Sequence, residues 1–543
     1  MTDKKLKFGI LCNSLALQQW QANAIQQLLQ HPNFELCLIL QNNSEADKPQ
    51  SLFNKLFSRT LFFRQYETRF LKINAKQSVD MSGEFATIPL LKITPNKKGK
   101  YSQYFTSDDV ETIKSYGLDF IVRFGFGILK GEILNAAKYG IWSYHHGDEN
   151  HFRGGPPGFW EIFYSKPTTA AILQRLTPTL DGGVVMKKGY FKTIHHSYTE
   201  QVDTLFSHTS NWIKQVGLDI LYNDKTFLPP SPNKTKIHKA PINTVFIVFL
   251  LKLLYNKIIF KLNALFRVEI WSIGQLQNTI DDLLTTKDLK AKWWNDNKNL
   301  SYRADPFTKE INGQRAYFFE RFNYNTHKGH IAMAWGDNGE EKAVIQNNKH
   351  YSYPFIFSHE GENYCLPECF ESNGIELYKI EDDGTFTLQK TLLQGLQVVD
   401  PTLLYHNNKF WLFFTLKTSL PNAELYIYHA EKLLGNYIPH KLNPVKTDVT
   451  SARPAGSIFT YNDKYIRPAQ NCSTTYGGSL VLNNIVTLTE TEFKEEKLAE
   501  ILPFDAQQNK GIHHICVDGD TIIIDGKKYI YSLQQAIKRI VGQ

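Results

Sequence analysis

The sequence predicts two folded bodies in series: an α/β domain built on a mainly parallel sheet, then an all-β domain shaped as a five-bladed β-propeller. Three observations carry this. The first third of the chain alternates short apolar runs with stretches of helical periodicity, the pattern of strands joined by crossover helices. From about residue 295 a unit recurs five times, with starts 48, 47, 53 and 60 residues apart, a period that fits one four-stranded blade. Between them lies a proline- and lysine-rich stretch around Pro229–Lys239 that reads as a linker. The expected limits are 1–225 for the α/β domain and 226–290 for a basic connector with an amphipathic helix at about 242–267. The propeller is expected over 291–531 and a C-terminal helix over 532–543.

Composition narrows the function classes. The chain has 543 residues, 42% hydrophobic and 21% charged, with a formal net charge of +8. That is ordinary for a globular protein. The charge suits an acidic partner such as anionic lipid, but it is not the dense basic stripe of a nucleic-acid binder, so no nucleic-acid partner is expected. Cys12, Cys37, Cys365, Cys369, Cys472 and Cys516 form no disulfide framework and no zinc spacing. Reduced thiols and an opening MTDKKLKFGILCN that reads as a strand point to a cytoplasmic protein.

Taken in order, Lys7–Asn13 is a first buried strand, Leu15–Gln30 a helix and Phe34–Gln41 a second strand. No GxGxxG follows the first strand, so a dinucleotide site is not expected. Ser51–Leu71 is aromatic, basic and helical. Ala86–Ile93 suits a strand, Asp108–Tyr116 a helix, Leu118–Phe124 a strand, Ile128–Lys138 a helix and Gly140–His145 a strand. Thr168–Leu176 and Val184–Lys188 are strand-like, and Thr199–Tyr222 is one long closing helix. In Val245–Phe266 the apolar run Val245–Leu251 is too short to span a bilayer, which takes about 20 residues. Lys252, Asn256, Lys257, Lys261 and Asn263 fall on one half of the helix and Leu254, Ile258, Leu262, Leu265 and Phe266 on the other. Such a helix either lies on an anionic membrane, placing the protein peripherally on the inner face, or buries its apolar face on its own chain.

The five repeats begin at Asp305-Pro306, Tyr353-Pro354, Asp400-Pro401, Arg453-Pro454 and His513-His514. Each first strand runs through a polar turn into an apolar second strand. The residue before each proline falls at the same place on the innermost strand. This predicts an axial ring of Asp305, Asp400, Arg453 and His513, joined by Glu320, Glu368, Arg467 and Gln470 from the ends of second strands. A polar funnel of this kind resembles the five-bladed glycosidase and fructosidase superfamily, which implies carboxylates from separate blades acting as acid and base. The strings ADPF…FFE, YPF…LPE, DPT…WLFF, RPAG…RPAQ and GIHH…DG resemble, over about 271–530, the N-terminal region of plant glucosamine inositolphosphorylceramide transferases. Catalysis, ligand binding and scaffolding all remain open for the ring, since Asp-Pro at a strand start is also common turn chemistry.

In the first domain, four titratable residues crowd one turn: His145, His146, Asp148 and Glu149, followed by Phe152-Arg153-Gly154. The run Leu118–Ile162, with Phe124-Gly125-Phe126-Gly127 as its aromatic-glycine loop, resembles 10-formyltetrahydrofolate-dependent formyltransferases of the methionyl-tRNA and sugar N-formyltransferase type. The resemblance spans about 7–220 and implies a Rossmann-like formyltransferase fold. It also implies 10-formyltetrahydrofolate as cofactor, held by Phe124, Gly125, Phe126 and Gly127. His145 falls on the family histidine and Asp181 on its aspartate, 36 residues on. Ser143 stands where the family has the Asn that binds the formyl oxygen. A histidine beside a carboxylate suits amine attack on a formyl carbon, because it can take the proton while donors hold the developing oxyanion. His146, Asp148 and Arg153 are auxiliary candidates, and adjacent histidines rarely converge, so no metal is expected. The function expected is folate-dependent N-formylation of an amino sugar on a nucleotide- or lipid-linked glycan precursor. The alternatives are a glycosidase or glycosyltransferase with its chemistry in the propeller, or a non-catalytic glycan-binding protein.

Overall fold

The computed structural model describes residues 4–44, 58–99, 101–179, 182–227, 235–286, 288–294, 300–336 and 339–541. The chain forms two compact units, one of residues 1–189 with 193–260 and the other of 190–192 with 261–543.

The first unit is organised on a seven-stranded sheet. Its order across the sheet is Val184–Lys192, Thr168–Arg175, Ile141–His145, Phe120–Arg123, Leu6–Cys12, Phe34–Asn42 and Leu90–Ile93. The five strands from Ile141–His145 onward pair in parallel, and Thr168–Arg175 runs antiparallel to Ile141–His145. Leu6, Phe8, Ile10, Phe120, Ile121, Val122 and Ile141 are fully buried, as expected of strands covered on both faces. Two expected helices differ. Ile128–Lys138 is a short strand, Ile128–Lys130, then a 3-10 turn, Glu132–Asn135. Gly131 between them holds φ 82°, which no α-helix accommodates. Thr199–Tyr222 is two helices, Tyr198–Ser207 and Trp212–Asn223, and the Thr209 hydroxyl bonds back to the Phe206 carbonyl at the break. On the second helix, a Cβ at Gly217 would lie 2.5 Å from the Phe34 ring. Gly217→Ala should therefore destabilise the first unit by about 1–3 kcal/mol despite its better helix propensity, read as a lower denaturation midpoint.

Among the described residues the second unit has five antiparallel sheets, four of them four-stranded and the third widened by a fifth short strand, Lys446–Thr447. Four follow the chain, with first strands Ser301–Ile311, Ser352–His359, Val398–His406 and Phe459–Tyr461. The fifth is composite. Its order is Ile515–Asp518, Thr521–Tyr531, Arg267–Leu276 and Ala291–Trp293, so the C-terminal hairpin pairs with strands that precede the first sheet. Arg267–Leu276, within the stretch read as connector, is thus a strand.

The first three sheets share a bulge. One extra residue enters the first strand after Ala304, Ser352 and Val399. Asp305, Tyr353 and Asp400 then take φ 52°, 44° and 49°. A bulge re-aims a side chain, and here the residue before proline is the one re-aimed. Tyr353, fully buried, reaches the first strands of two other sheets and the residues leading into those of the remaining two. Its hydroxyl meets Thr402 Oγ1 at 2.7 Å and accepts the Gly456 N–H at 2.7 Å. Its ring packs edge-on against Phe307 and His514.

Candidate active site

The repeated bulge sets Asp305 and Asp400 among side chains from second strands. The residue opposite the start of each bulge is Glu320, Glu368 and Thr415 in the first three sheets. Asp525 and Gln470 come from second strands of the fifth and fourth. All of these are buried.

On one side, Asp525 Oδ2 lies 2.7 Å from His513 Nδ1, and His513 Nε2 lies 3.3 Å from Asp305 Oδ1. Trp271 stacks on the imidazole at 3.8 Å. Burial works against the imidazolium, but Asp525 and then Asp305 outweigh it and raise His513. Asp305 is pushed up to about 7, mainly by burial, with His513 opposing and Asp400 and Asp525 adding to the rise. Asp305, His513 and Asp525 bring potential metal-ligand atoms within 4.8 Å of one another. Asp525, however, already accepts the N–H groups of His513 and His514 on Oδ1 and that of Asp305 on Oδ2. The arrangement is a carboxylate–imidazole–carboxylate chain, able to hold or move a proton at Asp305.

On the other side, Asp400 Oδ2 accepts from Arg453 Nε at 2.6 Å and Gln470 Nε2 at 3.0 Å. Arg453 also donates to Asn422 Oδ1 at 3.1 Å and stacks over Tyr476. The Asp400 N–H donates to Glu368 Oε2 at 3.0 Å. Burial and then Asp400 push Glu368 well above the carboxylate range. Burial and then Asp305 do the same to Glu320, whose Oε1 lies 3.6 Å from His350 Nε2. Arg467, expected in the ring, is committed elsewhere. It pairs with Glu495 through Nε and Nη2, both at 2.7 Å, and donates to the Ser451 carbonyl at 2.6 Å.

Asp305 supplies a pH signature. Its folded-state proton is kept to about pH 7, whereas an unfolded Asp releases it near 3.9. The resulting stability is complete below pH 4 and is lost as pH rises through about 7. Asp305→Asn should remove this component, so the variant should gain on wild type in thermal midpoint from acid to neutral pH. A constant difference across the pH series refutes the assignment.

Sequence reasoning missed Asp525, Tyr353 and Tyr476. Asp525 had a signal, since it is an acid following the apolar run of the fifth repeat's second strand, as Glu320 and Glu368 follow theirs.

In the first unit the expected residues part company. The Ser143 hydroxyl is buried and accepts from Arg123 Nη1 at 3.2 Å. His145 ends its strand and, with Arg123, Lys130, Ser143 and Gln174, lines a cavity of about 200 Å³. His146 points into the core, stacked on Phe206 at 3.7 Å and 3.1 Å from Thr209 Oγ1. Burial, then His145 and Lys76, hold its pKa well below the usual value. Asp148 accepts from the Asn150 N–H and from Lys188; these and His151 keep its pKa low against burial. Arg153 is buried and donates to the Thr235 carbonyl at 3.2 Å. Asp181 lies outside the described residues. The Phe124–Gly127 loop folds back on its own strand. Phe124 and Gly125 donate to the Leu11 carbonyl, Phe126 to Asn13 and Gly127 to Gln103. The carbonyls of Phe126 and Gly127 accept from Arg123 at 3.1 and 2.8 Å.

Comparison with known proteins places the likeness in the second unit. Residues 278–514 match the family model described as glucosamine inositolphosphorylceramide transferase 1, N-terminal. A protein named glucosamine inositolphosphorylceramide transferase 1 from Oryza sativa subsp. japonica is 33% identical over 206 residues, 36% of this chain and 28% of that protein. The chain thus spans under a third of the length of that relative. Among solved structures, an α-L-arabinofuranosidase from Podospora anserina is 13% identical, with a TM-score of 0.34, over 42% of this chain and 80% of that one. A glycinamide ribonucleotide transformylase from Symbiobacterium toebii is 11% identical, with a TM-score of 0.26, over 39% and 84%. Scores this low establish neither fold nor chemistry.

The expectation of folate-dependent formyl transfer is corrected. The matching family and relative are named as glucosamine inositolphosphorylceramide transferases, a different group transfer.

Proposed function

We propose that the second unit is a five-bladed β-propeller whose polar centre carries out glycosyl transfer, with a lipid-linked phosphoinositol as the acceptor class. The propeller reading rests on Tyr353, which touches Phe307 and Thr402 on the first strands of two other sheets and Gly456 and His514 just before the first strands of the remaining two, as a side chain at an axis would. The acceptor class is taken from the names of the matching family and relative.

The chemistry rests on one observation: two buried carboxyls held at different protonation levels around the Arg453–Asp400 pair. Glu368 keeps its proton and is suited to donate it to the departing oxygen as the old glycosidic C–O bond breaks. Asp305, with a value of about 7 and His513 behind it, is suited to take the proton of the attacking hydroxyl as the new C–O bond forms. Arg453 pairs with Asp400, whose N–H donates to Glu368.

A second reading has its own support. Glu368 and Asp525 each accept a backbone N–H from a neighbouring sheet, which is what a purely structural latch in a glycan-binding protein would do. The test incubates the full chain with an alkyl glucosaminide, whose departing alkoxide needs a proton, and phosphatidylinositol in detergent, and follows glycolipid by mass spectrometry. Product from wild type and none from Glu368→Gln, with an unchanged thermal midpoint, supports transfer. Glycan binding without product in wild type supports the second reading.

A further inference from the structure

The long helix Asn243–Phe266 sits the other way round from what its sequence suggests. Two of its polar residues face its own unit: Lys252 Nζ donates to the Phe163 carbonyl at 2.6 Å and Asn256 Nδ2 to the His195 carbonyl at 3.1 Å. Phe246 and Phe249 are buried, the latter stacked on Phe159 at 4.1 Å, and Phe260 stacks on His196 at 3.7 Å. At the helix start, Asn243 accepts the Phe62 N–H and donates to the Ser58 carbonyl. These contacts fix the rotation of the helix.

The opposite side is left apolar and exposed. Ile247, Val248, Leu251, Leu254, Tyr255 and Ile258 are 46–64% accessible. A soluble helix normally buries such a face, and exposed apolar patches of this kind mark interaction surfaces.

Charge indicates the occupant. Residues 225–268 hold seven lysines and one arginine and no Asp or Glu. Lys257 and Lys261 are exposed beside the apolar residues. Among the described residues no helix is long and apolar enough to cross a membrane. A helix of 24 residues, about 36 Å long, with an apolar face and only basic charges, suits the plane of a bilayer surface rich in anionic lipid.

We propose that this face docks on an anionic membrane, with Leu251, Leu254 and Ile258 entering the acyl boundary and Lys257 and Lys261 meeting lipid phosphates. This does not rest on the glycosyl-transfer reading, and it would stand if that reading failed.

The test is flotation of the full chain with phosphatidylcholine vesicles, with and without phosphatidylglycerol. Wild type is expected to float with the anionic vesicles and to be released by salt. The triple variant Leu251→Asp, Leu254→Asp and Ile258→Asp is expected to lose flotation and keep its thermal midpoint. Should the triple variant misfold, Leu251→Cys carrying a polarity-sensitive fluorophore serves instead, since five of the six native cysteines are buried. Its emission should shift to the blue only with anionic vesicles. Failure of wild type to float, flotation of the folded triple variant, or an unshifted fluorophore overturns the proposal. So does a dimer in sedimentation velocity that the triple variant dissolves while wild type ignores vesicles, since the occupant is then a second copy.

Discussion

Arg467→Leu should unfold the second unit under conditions where wild type is folded. Arg467 and Glu495 have side chains only 1% and 4% exposed and meet in two parallel hydrogen bonds. Removing one partner of such a pair leaves the other charge buried, at a cost of about 3–5 kcal/mol. Lys446, 2.6 Å from Glu495, offsets part of this. Replacing both partners with apolar residues (Arg467→Met with Glu495→Leu) should restore most of the loss, because neither charge is then stranded. A pH series adds a check. Burial opposes the charge on Glu495, but Arg467 and Lys446 hold its pKa at about 2. An unfolded Glu titrates near 4.3, so this contribution is present above that value and is lost as pH falls towards 2. Arg467→Leu should flatten that acid limb in urea titrations, and an unchanged midpoint would show the pair to be incidental.

Glu368→Gln should lower glycosyl transfer by about 100- to 10,000-fold, the usual contribution of a positioned proton donor. The amide keeps an oxygen to accept the Asp400 N–H, so the latch between the second and third sheets survives. It has no proton to give to a leaving group. The loss should fall on kcat, with KM little changed, because the missing interaction belongs to the transition state. A leaving group that needs no protonation, such as a p-nitrophenyl glycoside, should recover much of the rate. Equal losses with both leaving groups would instead mean that Glu368 acts only through structure.

Much of the architecture is written locally, and that part was legible. Leu6–Cys12 and Phe120–Arg123 are near-continuous apolar runs, which only a strand buried on both faces explains. The recurrent first strands were legible because Asp305 and Asp400 precede prolines at one recurrent place. What was not legible depends on partners distant in sequence. Arg467 looks like a channel residue until Glu495, two strands away, claims it. The rotation of Asn243–Phe266 follows from Phe163, His195 and Phe159, and the helical wheel holds no information about them. Ile128–Lys138 has helical spacing, but Gly131 and the pairing of Ile128–Lys130 with Ser102–Tyr104 override it. The hydrogen bond from Arg123 to Ser143 was not legible either, because Arg123 ends an otherwise apolar strand.

The composite fifth sheet also bears on how the chain comes off the ribosome. Arg267–Leu276 is made before any of the four sheets that follow the chain, yet its long partner Thr521–Tyr531 is made only after all four. At about 5–20 residues per second, that strand waits on the order of tens of seconds with an open edge. The first unit can settle while synthesis continues, but the second has no complete set of sheets until Thr521–Tyr531 has been made. A nascent chain stalled before Thr521 should therefore show a protease-resistant first unit and a second unit still open to cleavage.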